Sequence, residues 1–249
     1  MDKQLPSIQN DAVVQEYMEM LFRTNKKKEF QDTEELLQYI DNMEKQFEEV
    51  TKELHDIKEL LNGLQNPTMR SRLTDVVDKT QIVINDGKDK LNMLKDNVII
   101  SMKDCFEAFK KRSKDGVIKT INVLHFKEAL GGIRKSLFIA MNKTNDIVHT
   151  CDAMTSELRN AKRNFKNVGL LMLGRPAQKD NGDKAKLNLM QKSSRSIHSM
   201  LERMVVKTTR TLHKLENFEK PSVKSEIKLL SSQSKSQDSI NHKKKEQSR

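Results

Sequence analysis

From residue 36 to residue 64, apolar side chains return at alternating steps of four and three: Leu36, Ile40, Met43, Phe47, Val50, Leu54, Ile57, Leu61 and Leu64. A repeat averaging 3.5 residues keeps one stripe of a helix turned toward a partner helix, so these nine positions are the expected coiled-coil seam. The helix would be about 45 Å long at 1.5 Å per residue. Propensity alone does not hold a helix of that length, so its stripe needs a covering partner. Asp32 or Thr33 is the expected cap at its start, with acidic residues following where the helix dipole favours them.

Gly63 and "QNPT" predict a break, with Asn66 placed to cap the next helix and Pro67 at its first position. That helix runs to about Arg112 and carries Leu73, Val77, Thr80, Ile84, Leu91, Leu94, Val98, Met102, Cys105 and Phe109 in the same register. Two long matching stripes joined by a short connection favour an antiparallel hairpin within one chain over a pure homodimer.

Before the hairpin, "NDAVVQEYMEMLF" predicts a short helix capped by Asn10 or Asp11, ending in the basic turn around Lys26, Lys27 and Lys28. Those lysines read as a solvated turn rather than a phosphate contact. After it, Gly116, Gly131 and Gly132 predict a short helix and a bend near His125 and Phe126. A third long helix then follows, striped from Ile133 through Leu137, Met141, Thr144, Cys151, Met154 and Leu158 to Val168 and closed by Gly174 and Pro176. A last one carries Leu187, Met190, Ile197, Leu201, Met204, Thr208, Thr211, Leu215 and Phe218 up to Pro221. The Ser-, Lys- and Gln-rich remainder has too few apolar anchors to offset the entropy of ordering it.

The expected fold is therefore all-α: an elongated antiparallel helical bundle built on a coiled-coil hairpin, with a disordered basic C-terminal tail. Residues 1–31 form a short helix and basic turn, 32–112 the hairpin, 113–220 a basic helical part completing the bundle, and 221–249 the tail. Composition agrees, with 33% charged residues, 4% aromatic residues and no Trp, a mix of long solvated helices rather than sheets.

Charge changes the picture more than composition does. Residues 1–65 hold 8 Lys and Arg against 15 Asp and Glu, net −7, while 66–249 hold 38 against 20, net +18. The acidic second helix is thus expected to neutralise basic helices lying along it. The basic cluster Arg159, Lys162, Arg163 and Lys166, with Lys243, Lys244 and Lys245 in the tail, is the candidate contact for nucleic acid. Aromatic residues to stack on single strands are not interleaved with it.

Candidate chemistry is thin. The sequence has no Cys-x-x-Cys, His-Glu-x-x-His, Gly-x-Ser-x-Gly or glycine-rich phosphate loop, so no enzyme, cofactor or metal is expected. His198 and Glu202 could meet one turn apart, and the carboxylate pairs Asp75 with Asp78 and Asp86 with Asp89 read as solvated helix surface. The methionines on the stripes, Met43, Met102, Met141, Met154, Met190 and Met204, read as core filling before a groove for a partner helix. Cys105 and Cys151 sit in apolar helical patterns and the N-terminus lacks a signal peptide, which predicts a reduced cytoplasmic setting. The apolar runs are too short for a membrane span, and the heptad-narrow stripes with only the brief "LLML" rank a membrane-surface role below the others.

Three segments carry a family resemblance: "YIDNMEKQFEEVTKELHDIK", "MKDCFEAFKKRSKDGVIKTINVLHFKEALGGIRKSL" and "NFKNVGLLMLGR". Over roughly residues 10 to 220 the chain resembles an uncharacterised all-helical bacterial family, a domain of unknown function found on conjugative and other mobile elements of anaerobic gut bacteria. The resemblance implies a bacterial cytoplasmic accessory protein and brings no catalytic residues with it. The expected function is a non-enzymatic helical interaction or scaffold protein, binding a protein partner or itself through its helices. A nucleic-acid-binding accessory protein is the alternative.

Overall fold

The computed structural model describes residues 7–112, 123–171 and 183–219, with side chains at all of these except 112, 123–125, 162, 163, 165–171 and 216–219. A 3₁₀ turn at Ile8–Asn10 precedes helices α1 (Ala12–Arg23), α2 (Lys27–Asn62), α3 (Pro67–Arg112), α4 (Val123–Leu171) and α5 (Asp183–Glu219). Among the described residues there is no strand, and the fold is all-α. The chain divides into two compact units, Met1–Thr209 and Arg210–Arg249. In the second, residues 210–219 are helical; everything that follows concerns the first.

Local chemistry sets three of the helix ends. Asp11 Oδ1 accepts from the backbone N–H groups of Val13 at 2.8 Å and Val14 at 3.3 Å, capping α1. Asn66 Oδ1 does the same for α3, accepting from Thr68 and Met69 at 3.0 and 3.1 Å, with Pro67 in the first helical position where its missing N–H costs nothing. Gly63 ends α2 in a right-handed conformation, φ −83° and ψ −5°.

The start of α2 differs from the sequence expectation. It begins at Lys27, so Asp32 and Thr33 lie inside it rather than capping it, and Thr33 Oγ1 donates back to Glu29 O at 2.7 Å. Asn25 makes this turn short by taking φ 56°, a left-handed conformation that Asn tolerates better than most residues. Lys27 and Lys28 are therefore exposed on the first turn of a helix.

The expected bend near His125 and Phe126 is also replaced by continuous helix. α4 passes unbroken through Gly131 and Gly132 because its apolar face, with Phe126, Leu130, Ile133 and Leu137 all buried, offsets the weak propensity of two glycines. The short helix expected near Gly116, the closure at Gly174 and Pro176, and the tail 221–249 lie outside the described residues.

Cross-helix contacts give the topology. Lys58 pairs with Asp78 at 3.0 Å near the α2–α3 turn and Glu44 with Lys95 at 2.8 Å farther along, so α2 and α3 form the antiparallel hairpin. Lys90 meets Ser136 at 2.9 Å and Arg72 meets Glu157 at 3.6 Å, which runs α4 antiparallel to α3. α5 returns between α4 and α2. Gln191 contacts Asp152, His198 Nδ1 faces Met141 O at 3.3 Å, and Tyr39 donates to Thr208 Oγ1 at 2.8 Å. Helices α2 to α5 thus make an up-down-up-down bundle in which α2 and α4 each touch both α3 and α5. α1 packs on α2 and α3.

The hairpin seam is buried from Ile40 through Met43, Phe47, Val50, Leu54 and Ile57 to Leu61, each at 3% exposure or less. Leu36 and Leu64 depart from it. Leu36 is half-buried while its neighbour Leu37 is 2% exposed. The reason is the added cover at this end: the 3₁₀ turn lies on Asp41, which draws Leu37, Asp41 and Glu44 into the covered face. Leu64 is buried but lies beyond the end of α2, in the turn.

Polar residues on the seams are absorbed locally. Thr80, Thr144 and Thr208 are fully buried, and each hydroxyl donates to the carbonyl four residues earlier, at 2.8, 2.7 and 2.7 Å. Ser194, equally buried on α5, leaves its Oγ without a hydrogen-bond partner among the described residues.

Candidate interaction surface

α3 is the central helix, since α1, α2 and α4 all pack against it. Its inward side is apolar, with Leu73, Val77, Ile84, Leu91, Leu94, Val98 and Met102 at 2% exposure or less. Its outward side carries three large apolar residues in solvent: Ile82 is 67% exposed, Met93 64% and Ile100 56%. Steps of eleven and seven residues put them within about 20° of one line along the helix at roughly 100° per residue. They form a row instead of scattered exposures.

Around that row the exposed residues are mostly acidic: Asp75, Asp78, Asp86, Asp89, Asp96, Asp104 and Glu107, with Lys79 and Lys103 interrupting. Four of the acids are answered at home. Asp75 pairs with Lys79 at 2.7 Å, Asp78 with Lys58 at 3.0 Å, Asp86 with Lys90 at 2.6 Å and Glu107 with Lys110 at 3.9 Å. Asp86 also accepts from Ser136 Oγ at 2.6 Å, and the hydrogen bonds from Lys90 first and Ser136 second hold its carboxyl below the usual range. Asp89, Asp96 and Asp104 make no ion pair with another described residue, so charge on this face is left unanswered within the bundle.

The outward side of α5 has the opposite sign. Lys184, Lys192, Arg195, Arg203 and Lys207 are exposed there, against Glu202 alone among exposed acids between residues 183 and 209. Two large apolar residues stand among them, Leu189 at 52% exposure and Val206 at 43%. A smaller patch on α4 pairs Phe138 and Ile139 with exposed Arg134 and Lys135.

The nucleic-acid residues expected from sequence are not brought together by the described structure. Arg159 is exposed on α4. Lys162, Arg163 and Lys166 fall within α4, but their side chains lie outside the described residues, as do Lys243, Lys244 and Lys245 entirely. The intramolecular neutralisation expected of α2 is met in part by Glu44 with Lys95, whose side chains are 10% and 12% exposed, while Lys58 with Asp78 has the charges reversed. His198 turns to the Met141 carbonyl at 3.3 Å. Met43, Met102, Met154, Met190 and Met204 are buried in the core and open no groove, and Met141 is half-buried.

Several organising residues carry no periodic signal. Asp41, 9% exposed, accepts from Ser7 Oγ at 2.5 Å, Ile8 N at 3.0 Å and Gln9 Nε2 at 2.8 Å, tying the 3₁₀ turn to α2. Asp183, 4% exposed at the start of α5, accepts from the backbone N–H groups of Gln65 and Asn66 at 3.0 and 3.3 Å. It satisfies the α2–α3 turn from another helix, and Lys186 adds a contact to the Gly63 carbonyl. Among the described residues no group of three or more His, Cys, Asp or Glu side chains is placed to hold a metal ion. Among the described residues no helix is long and apolar enough to cross a membrane.

A model of the family of unknown function DUF6674 matches residues 10–249. The chain belongs to that family. No curated protein and no solved structure matches it.

Proposed function

We propose that this DUF6674 chain is a non-enzymatic helical interaction protein, a scaffold whose contact surface is the outward side of α3. The observation that carries the reading is the row Ile82, Met93 and Ile100, standing in solvent among acids of which Asp89, Asp96 and Asp104 have no ion pair among the described residues. Burying large apolar residues is the main gain open to a folded helix, and a row left exposed marks a surface completed by a partner. The flanking carboxylates select a basic partner and set its orientation. The wider setting we propose is that of a cytoplasmic accessory protein of a bacterial mobile element, which rests on the resemblance of the three segments noted above.

A second reading is favoured by the outward side of α5 and by Arg159. Exposed bases at helical spacing can track a phosphate backbone without reading sequence, and Lys162, Arg163, Lys166 and the lysines at 243 to 245 would add to them. Retention on DNA would then fall steeply with salt.

One experiment separates the two. The tagged chain is used to retain partners from its native cell with and without nuclease, beside a variant with Met93→Lys and Asp96→Lys. The interaction reading expects a protein partner retained in both treatments and lost from the variant. Retained material that disappears with nuclease and is indifferent to the variant contradicts it and supports the nucleic-acid reading.

A further inference from the structure

We infer that the occupant of the acidic face of α3 is the basic face of α5 on a second copy of this chain. The inference rests on α3 being the contact surface and adds the identity of the partner. Two observations lead to it: the faces are opposite in charge, and each carries large exposed apolar residues over a similar length of helix.

On α3, Ile82 and Ile100 are eighteen positions apart; on α5, Leu189 and Val206 are seventeen apart. At 1.5 Å per residue these spans are about 27 and 26 Å, equal within the width of a side chain. Laid antiparallel, Leu189 falls level with Ile100 and Val206 with Ile82, the α5 pair standing about 100° apart around its helix. The same alignment sets Lys192 level with Asp96, Lys184 with Asp104, and Arg203 with Asp86. Laid parallel, with Leu189 opposite Ile82 and Val206 opposite Ile100, the same one-residue latitude sets Arg203 level with Asp96, Arg195 with Asp89, Lys192 with Asp86 and Lys184 with Asp78. Charge and axial spacing thus match in both directions; Asp86 and Asp78 are already paired with Lys90 and Lys58, and the antiparallel register is the one that sets both Lys184 and Lys192 against acids with no ion pair among the described residues.

Within one bundle α2 and α4 each touch both α3 and α5, so the two charged faces look away from each other. A copy that docks its α5 on α3 leaves its own α3 free. The contact is heterologous and does not close on a dimer, so association continues as concentration rises. A single helix-on-helix contact lies at the small, reversible end of protein interfaces. Exposed ion pairs contribute little singly and are screened by salt, so they orient the contact while the apolar row holds it.

The test is sedimentation of the full chain over a range of concentration at low and high salt. Two charge-reversed variants are compared, Asp96→Lys with Asp104→Lys, and Lys184→Glu with Lys192→Glu; all four positions are solvent-exposed, and helix content by circular dichroism checks the fold. We expect reversible, salt-weakened association of the native chain, at least tenfold weaker association of each variant alone, and recovery when the two variants are mixed. A native chain that stays monomeric throughout overturns the inference, as does association that both variants retain or that mixing fails to restore. If the chain is monomeric while the α3 variant still loses a nuclease-resistant protein partner, the second copy is excluded and the interaction reading stands.

Discussion

Phe47 of α2 points its ring at the backbone of Gly87 in α3, so closely that a Cβ placed on Gly87 would stand 2.9 Å from the ring Cζ and 3.0 Å from Cε1. Gly87 occupies the seam position between Ile84 and Leu91, where a side chain would otherwise project toward α2. The glycine is the space for the ring. An alanine there gains helix propensity worth about 1 kcal/mol, but it must displace a ring that is 1% exposed. Overpacking a tight core costs about 1–3 kcal/mol. We predict that Gly87→Ala lowers the urea midpoint, and that in a Phe47→Leu background the same substitution is neutral or raises it. A double-mutant cycle reads the coupling directly; additive effects would contradict the contact.

Ser194 offers the opposite case. Its Oγ is buried with no partner among the described residues, whereas Thr208 on the same helix accepts from Tyr39 at 2.8 Å. A buried hydroxyl without a hydrogen bond carries an uncompensated desolvation cost of about 1 kcal/mol or more. Ser194→Ala is therefore expected to stabilise the chain. Thr208→Ala should destabilise it by leaving the Tyr39 hydroxyl only its long contact to Met43 Sδ at 3.9 Å. Chemical denaturation of the two variants beside the native chain gives both signs.

Glu44 and Lys95 hold α2 to α3 where both side chains are nearly enclosed. Removing one member strands a charge away from water. Lys95→Met is expected to cost about 3 kcal/mol, and combining it with Glu44→Leu should recover most of the loss, because replacing a whole buried pair with apolar groups is often neutral. A double variant as unstable as the single one would show that the pair contributes more than mutual compensation.

The cysteines should differ in reactivity. Burial first, and Asp152 second, push the Cys151 thiol up to about 12, so it stays protonated and inaccessible through the neutral range. Cys105 is half-buried. A thiol reagent at pH 8 should modify Cys105 of the folded chain and reach Cys151 only on addition of denaturant. Equal rates for the two in the native state would contradict the packing of α4.

The hairpin was legible because a heptad repeat states which residues of a helix are covered, and "QNPT" states where the chain reverses. Asn66 and Asp11 cap the helices that their positions foretold. The extent of α2 was not legible, since the left-handed Asn25 that shortens the turn has no periodic signature. Nor was the burial of Leu37 over Leu36, which depends on the 3₁₀ turn landing on Asp41 from 33 residues away. Asp183 carries no signal in the sequence, because its partners, Gln65 and Asn66, meet it only in the folded chain.

The proposed contact surface was half visible. Asp75, Asp78, Asp86 and Asp89 stood out as solvated carboxylates. Ile82, Met93 and Ile100 fell between the seam positions and so were not weighed, although apolar residues recurring off the seam are the signal of a second covered face. The basic face of α5 was hidden in a net charge summed over many helices.

The central claim is that the row on α3 becomes buried when the chain meets its partner, a second copy. The chain contains no Trp, so Met93→Trp introduces a single indole at the centre of that row. Its emission should be that of a solvent-exposed indole in dilute solution, shift to the blue as concentration rises at low salt, and return on addition of salt. An emission that stays unshifted over a concentration range in which sedimentation shows the chain associating would contradict the claim.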